Sequence, residues 1–271
     1  MKIVAEIGNA HEGSLGMALA YIDAVADAGV DAVKFQCHDG DPVSEFRPGT
    51  FFPQDATRQD YWRRVGFKYE QWRSLREHAH KRGIKYGVSV FATDILYWLI
   101  DNDEMDFVKI PSGLAMDTEF RQLVEQTGLP FVISTGCCGW DETEHLRRSL
   151  RENATLLECT SAYPATAEQI DIGHLELWKD DGYFCQYGIS DHSGTIWPSI
   201  AAATLGADMA EVHVCFSRQQ WGPDVSSSIT IDELRQLVQG VRFIERMRAS
   251  TVTKDELAAQ LADTRRIFGG A

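Results

Sequence analysis

The sequence predicts an α/β protein, a closed (β/α)₈ or TIM barrel, with residues 1–271 forming a single domain. Three observations predict it: eight short β-branched apolar runs, a longer stretch of helical period after most of them, and glycine where several of those stretches stop. Near-continuous apolar runs are what parallel strands covered on both faces require. Eight of them alternating with helices close into a barrel, for which a length near 250 residues is usual. An open doubly wound sheet is the competing architecture, and its dinucleotide-binding form lacks support because no G-x-G-x-x-G follows the first run.

The runs are Lys2–Ile7, Ala32–Gln36, Lys85–Val90, Phe107–Ile110, Phe131–Ser134, Thr155–Cys159, Phe184–Ile189 and Ala210–Val214. Helical stretches lie between them at Leu15–Ala28, Tyr69–Lys81, Asp94–Asp101, Thr118–Thr127, Glu142–Arg151 and Ile196–Leu205. Gly29, Gly83, Gly128 and Gly206 follow four of these closely, as left-handed helix ends require. After the eighth run, Ile231–Met247 reads as a closing helix and Lys254–Ile267 as a polar terminal one. The stretch from His38 to Phe67 is aromatic and charged without a sustained period. In a barrel it is either an elaborated loop after the second strand, on the face where sites are built, or a surface excursion with a short helix near Arg58–Arg64.

Composition narrows the function classes. A net charge of −14 argues against nucleic acid and anionic membranes as partners. An anionic substrate would therefore need positive charge concentrated in the site. No apolar stretch approaches the roughly 20 residues of a membrane span, and the one at the N-terminus is too short for a secretory signal, so a cytoplasmic location is expected. The six cysteines show no metal-ribbon or C-x-x-C spacing and read as reduced thiols.

Polar residues cluster where the apolar runs end. Residues two apart on a strand share a face, which pairs Lys34 with Gln36, Ser190 with His192 and Glu211 with His213. If those faces line the barrel interior, the groups converge. Histidines at the ends of neighbouring strands can share one divalent metal and leave positions open for substrate and water. Lys34 and Lys109 stand inside apolar runs, where an unpaired ammonium is costly, and with Ser112, Ser134 and Ser190 they can cradle a phosphate and a carboxylate. Asp224, in Gly222-Pro-Asp224, is a turn residue that can also address sugar hydroxyls.

Eight segments together resemble the sialic acid synthase barrel in order and spacing, over about the first 245 residues. They are Ala5-Glu-Ile-Gly-Asn-Ala-His-Glu-Gly13, Val33-Lys-Phe-Gln36, Val108-Lys-Ile-Pro-Ser-Gly113, Ile133-Ser-Thr-Gly136, Cys159-Thr-Ser-Ala-Tyr-Pro164, Ile189-Ser-Asp-His192, Glu211-Val-His213 and Gly222-Pro-Asp224. The resemblance implies condensation of phosphoenolpyruvate with N-acetylmannosamine or a related hexosamine, giving a 3-deoxy-2-ulosonic acid and phosphate. It implies His192 and His213 as ligands of a divalent metal, usually manganese, with magnesium or cobalt as substitutes. Lys34, Lys109, Ser112, Ser134 and Ser190 would hold phosphoenolpyruvate. Glu6, Gln36, Tyr163, Glu211 and Asp224 would serve the sugar or the proton transfers, with Glu6, Glu211 and Lys109 as the catalytic set.

This sequence departs from the family pattern at three points. The family's C-terminal antifreeze-like domain is not expected in this chain, so a homodimer or a separate lid-domain chain would complete the sugar end. Ser89-Val-Phe-Ala replaces a pattern in which threonine and proline follow the serine, leaving Thr93 as the nearby hydroxyl, and Ser161 stands in place of an asparagine. Two other readings are open: another metal-dependent barrel aldolase or isomerase, for which only Glu6, Glu211 and Asp191 offer carboxylates, or a non-catalytic paralogue.

Overall fold

The computed structural model of the chain describes residues 1–38, 57–101, 105–180 and 185–269. Most of the expected loop after the second strand, residues 39–56, lies outside them, as does Phe184 at the start of the expected seventh strand. Eight strands are present: β1 (Lys2–Gly8), β2 (Ala32–Cys37), β3 (Lys85–Val90), β4 (Phe107–Ile110), β5 (Phe131–Ser134), β6 (Ala154–Cys159), β7 (Gln186–Asp191) and β8 (Met209–Cys215). Each pairs in parallel with its sequence neighbours, and β1 also pairs with β8 from Lys2↔Met209 to Glu6↔His213. That pairing closes the (β/α)₈ barrel the sequence predicts.

Helices surround it: α1 (Leu15–Ala28), α2 (Arg58–Val65), α3 (Tyr69–Lys81), α4 (Thr93–Asp101), α5 (Thr118–Gln126), α6 (Trp140–Ser149), α7 (Gly173–Asp180), α8 (Trp197–Leu205), and beyond β8 a two-residue strand β9 (Ile229–Thr230) and α9 (Ile231–Arg248). Local chemistry sets their ends. Ser14 caps α1 by accepting from the amide of Met17, and Gly29 closes it at φ +88°. Thr230 and Glu233 form a reciprocal capping box on α9. Helix α7 was not expected, because its eight residues begin at a glycine and are too few to show a period. The expected polar terminal helix is two short ones, α10 (Lys254–Gln260) and α11 (Ala262–Phe268), exposed at every described residue. No described helix is long and apolar enough to cross a membrane.

Strand alternation splits the side chains into two sets. Outward residues such as Ile3, Ala5, Val33, Val88, Ile110, Leu156 and Val212 form the main core against the helices. Inward residues Val4, Ala32, Phe107, Val132, Leu157 and Met209 form a separate apolar plug inside the barrel. Gly87 admits the Phe107 ring, since a Cβ there would sit 2.1 Å from it. One pleat further along each strand the inward residues turn polar, and that change of character places the site.

Candidate active site

Above the plug lie four buried charges, Glu6, Lys34, Lys109 and Glu211, each at most 5% exposed. Register sets Glu6 beside Lys34 on the adjacent strand and Ser190 beside Glu211. The Lys109 ammonium donates to Glu211 Oε1 at 2.7 Å, Ser190 donates to the same oxygen at 3.1 Å, and Lys34 Nζ stands 3.7 Å from it. Lys34 also pairs with Glu6 and with the hydroxyl of Ser89. Burial pushes Glu6 up, opposed by Lys34. Against its own burial, Glu211 is pulled down to about 2 by Lys109 and Lys34. Burial lowers Lys109, whereas Lys34 is raised against burial by its two carboxylates.

The concentrated positive charge expected from so acidic a chain is therefore not a bare pair of lysines. The four charges sum to zero. Such a group is weakly stabilising at best, because desolvation cancels most of the attraction. Its value is a set of fixed donors and acceptors at the floor of a cavity.

That cavity has a volume of about 550 Å³, and the ends of the barrel strands form its walls. Lys34, Gln36, Lys109, Ser112, Ser134, Tyr163, Ser190, His192, Glu211, His213 and Asp224 all line it. Glu6 lies just below, fully buried. Every site residue expected from the sequence thus comes to this one place. Ser134 Oγ is buried without a hydrogen-bond partner, and Ser112 accepts the amide of Gly136 at 3.1 Å. Glycines let side chains converge here. A Cβ on Gly136 would lie 2.4 Å from Ser161 Oγ and 2.9 Å from Ser112 Oγ. Gly8, at φ +54°, leaves the space flanked by Glu6 Oε1, Gln36 Nε2 and Asp224 Oδ2.

The rings of His192 and His213 stand 5.3 Å apart. His192 Nδ1 donates to the carbonyl of Thr160 at 2.8 Å, which leaves Nε2 with its lone pair toward the cavity. Tyr163 stacks on this ring at 4.2 Å. His213 Nδ1 lies 3.9 Å from Asp224 Oδ2. Burial lowers both histidines, His213 to about 4. Both are neutral at physiological pH, the form that ligates metal. No group of three or more histidine, cysteine or acidic side chains able to hold a metal occurs among the described residues. The donor set fits a divalent ion with two imidazole ligands and the remaining positions open to small molecules.

Sequence reasoning missed one wall. Arg58, Tyr61 and Trp62 of α2, together with Asn9, His38 and Phe91, also line the cavity. His38 is held between Trp62 at 4.2 Å and Phe91 at 3.8 Å. Helix α2 docks on the loop after β1, where Glu12 accepts from Tyr61 at 3.2 Å and Arg64 at 3.0 Å. The short helix expected near Arg58–Arg64 is α2, which Thr57 caps by accepting from the amide of Asp60; what was missed is its place at the site. Thr93, the hydroxyl left after Ser89, is exposed at the start of α4 and is not among the lining residues. Ser161 does line the cavity, 3.5 Å from Cys137 Sγ. All six cysteines are unpaired thiols, as expected.

Fold and site define a class: a (β/α)₈ enzyme with a polar cavity over a buried charged floor at the strand ends. The chain belongs to the NeuB family, whose family model matches residues 21–253. Human N-acetylneuraminate-9-phosphate synthase is 30% identical, covering 96% of this chain and 74% of that protein. The N,N'-diacetyllegionaminic acid synthase of Legionella pneumophila is 29% identical over 92% of this chain and 73% of its own length. Among solved structures, the N-acetylneuraminic acid synthetase of Leptospira borgpetersenii in complex with citrate superposes with a TM-score of 0.81 at 25% identity, covering 99% of this chain and 92% of that one. A truncated 3-deoxy-D-arabino-heptulosonate 7-phosphate synthase of Thermotoga maritima, with a TM-score of 0.69 at 15% identity, shares the fold. The family implied by the strand-end motifs is the family found.

Proposed function

We propose that this chain joins phosphoenolpyruvate to N-acetylmannosamine or a related amino sugar, forming a 3-deoxy-2-ulosonic acid of the sialic acid type and releasing phosphate. The observation that carries the reading is the convergence of two lysines, three serines and two neutral histidines on one cavity of about 550 Å³. Residues 1–271 act as one barrel domain, in the cytoplasm.

Lys34, Lys109, Ser112, Ser134 and Ser190 hold the phosphate and carboxylate of phosphoenolpyruvate with charge-assisted hydrogen bonds. His192 and His213 would hold a divalent metal, manganese first among the candidates, which would supply Lewis-acid activation of the open-chain aldehyde. Carbon 3 of the enol then attacks the aldehyde carbon, and water captures the cationic character at carbon 2. The resulting tetrahedral intermediate collapses with loss of phosphate.

Of the two carboxylates, Glu6 suits the water better. Each keeps an oxygen without a hydrogen-bond partner, but Glu211 also accepts from Lys109 and Ser190 and is pulled down by the lysines, whereas burial raises Glu6, and its Oε1 flanks the same space as Gln36 and Asp224. Gln36, Tyr163 and Asp224 address the sugar.

Incubation with phosphoenolpyruvate, Mn²⁺ and a panel of hexosamines tests the reading, with released phosphate and a new ulosonic acid followed by mass spectrometry. Label in the bridging oxygen of phosphoenolpyruvate is expected to leave with phosphate. Its retention in the sugar acid would refute carbon–oxygen cleavage, and no product with any hexosamine would refute the substrate class.

A further inference from the structure

His38 follows β2 directly, its ring stacked on Trp62 at 4.2 Å and 4° and on Phe91 at 3.8 Å and 26°. With its faces taken up by these rings, the imidazole has its edge left for hydrogen bonds. On that edge Nε2 lies 3.0 Å from Oε1 of Gln36, two residues back along the chain. A carbonyl oxygen only accepts, so Nε2 carries the proton, and Nδ1 holds the lone pair, buried without a hydrogen-bond partner. Burial lowers this histidine to about 3, so the ring is neutral at physiological pH.

Asn9 Nδ2 donates to the same Gln36 oxygen at 3.5 Å. With Oε1 held by these donors, the amide nitrogen turns the other way, to the space above Gly8. Gln36 Nε2 is 3.3 Å from where a Cβ on Gly8 would stand, with Glu6 Oε1 at 3.3 Å and Asp224 Oδ2 at 3.5 Å from the same point. The opposite amide orientation would set a carbonyl oxygen beside two carboxyl oxygens and an NH₂ group against the imidazole N–H. Both ends of the amide therefore agree on one orientation.

We propose that His38 is a positioning residue: its Nε2–H, held in place by Trp62 and Phe91, fixes the Gln36 amide with its N–H donors facing the space between Glu6 and Asp224. There those donors meet an oxygen of the sugar. That last step rests on the substrate reading given above, whereas the amide orientation does not. An amide released from His38 is able to turn and present its oxygen instead, which loses a donor to the substrate.

Two measurements test the assignment. In the free protein carrying ¹⁵N-histidine, long-range proton–nitrogen correlations of His38, assigned by their loss in His38→Gln, are expected to show a neutral ring protonated at Nε2 at pH 7. Protonation at Nδ1 overturns the proposal whatever the substrate is. In the reaction, His38→Phe keeps a ring in the stack and removes the donor. Its KM for the sugar is expected to rise about three- to tenfold, the effect of one lost hydrogen bond, with kcat and the KM for phosphoenolpyruvate little changed. His38→Gln, whose amide nitrogen reaches the place of Nε2, should recover most of the loss. In a Gln36→Ala background, His38→Phe should cost less than about twofold, because the two residues act as a unit. An unchanged sugar KM, no recovery with glutamine, or a full effect in the Gln36→Ala background overturns the proposal. If no hexosamine is turned over, the substrate reading falls and the wild-type spectrum alone decides the orientation, as it does if a variant fails to fold.

Discussion

Glu6 and Glu211 separate most sharply at the scale of single residues. Both are buried and each keeps an oxygen without a hydrogen-bond partner, yet Glu211 Oε1 accepts from a lysine and a serine and the two lysines pull this carboxylate down against its burial, whereas burial pushes Glu6 up against Lys34. Glu6→Gln is expected to lower kcat by about 10²- to 10⁴-fold, the usual contribution of a general base, with little change in the affinity for phosphoenolpyruvate. Glu211→Gln removes the acceptor that fixes Lys109 and is expected to act chiefly on that affinity. Steady-state kinetics together with calorimetric binding of phosphoenolpyruvate separates the two, and an exchange of the two outcomes would reverse the assignment. His213→Ala is expected to leave a folded protein that has lost Mn²⁺ binding; unchanged metal affinity would remove His213 from the ligand set. Sequence made these residues legible because strand periodicity puts Lys34 with Gln36 and Glu211 with His213 on one face. It left the choice between the glutamates open, because partners such as Ser190 come from other strands.

Among the elements, the docking of α2 on the loop after β1 was not legible, although a short helix near Arg58–Arg64 was expected. The two are held by contacts across the chain, Glu12 with Arg64 and Tyr61, and His11 stacked on Phe67 at 4.3 Å. Burial lowers His11 and His38 to about 3. The unfolded chain protonates these imidazoles near pH 6.5, while the folded chain holds them neutral until far lower pH. Their effect on stability is therefore absent above about pH 6.5. It becomes a growing penalty as pH falls toward 3, at up to about 1.4 kcal/mol per pH unit for each histidine. Urea unfolding between pH 7 and 5 should show this slope, and His11→Gln should reduce it by about one proton; an unaltered slope would mean that His11 is charged in the folded state. Helix α1, by contrast, was legible to the residue, because Ser14 and Gly29 carry its start and stop signals within the chain itself.

Across the whole molecule, stability rests on the closed barrel and the helices packed on it. The glycines that allow close approach in the barrel wall are its tightest points. A Cβ on Gly188 would lie 2.0 Å from the carbonyl of Met209. Gly188→Ala is therefore expected to destabilise by about 1–3 kcal/mol or more, seen as a lower melting temperature. Helices α10 and α11 bury nothing, so ending the chain after Ser250 should leave the melting temperature nearly unchanged. A large fall would show that those helices pack on something the single chain does not present.

By itself the sequence determined the eight strands, most of the helices, and the identity of the polar residues at the strand ends. Apolar runs, helical period and terminal glycines are local signals, and alternation along a strand decides which side chains face together. Only the tertiary structure decided that the lysines are neutralised by Glu6 and Glu211, that Tyr163 covers His192, and that α2 supplies a wall with Arg58 and Trp62. Those facts depend on the height at which neighbouring strands register and on where a long excursion returns to the barrel. No periodicity within a single segment encodes either.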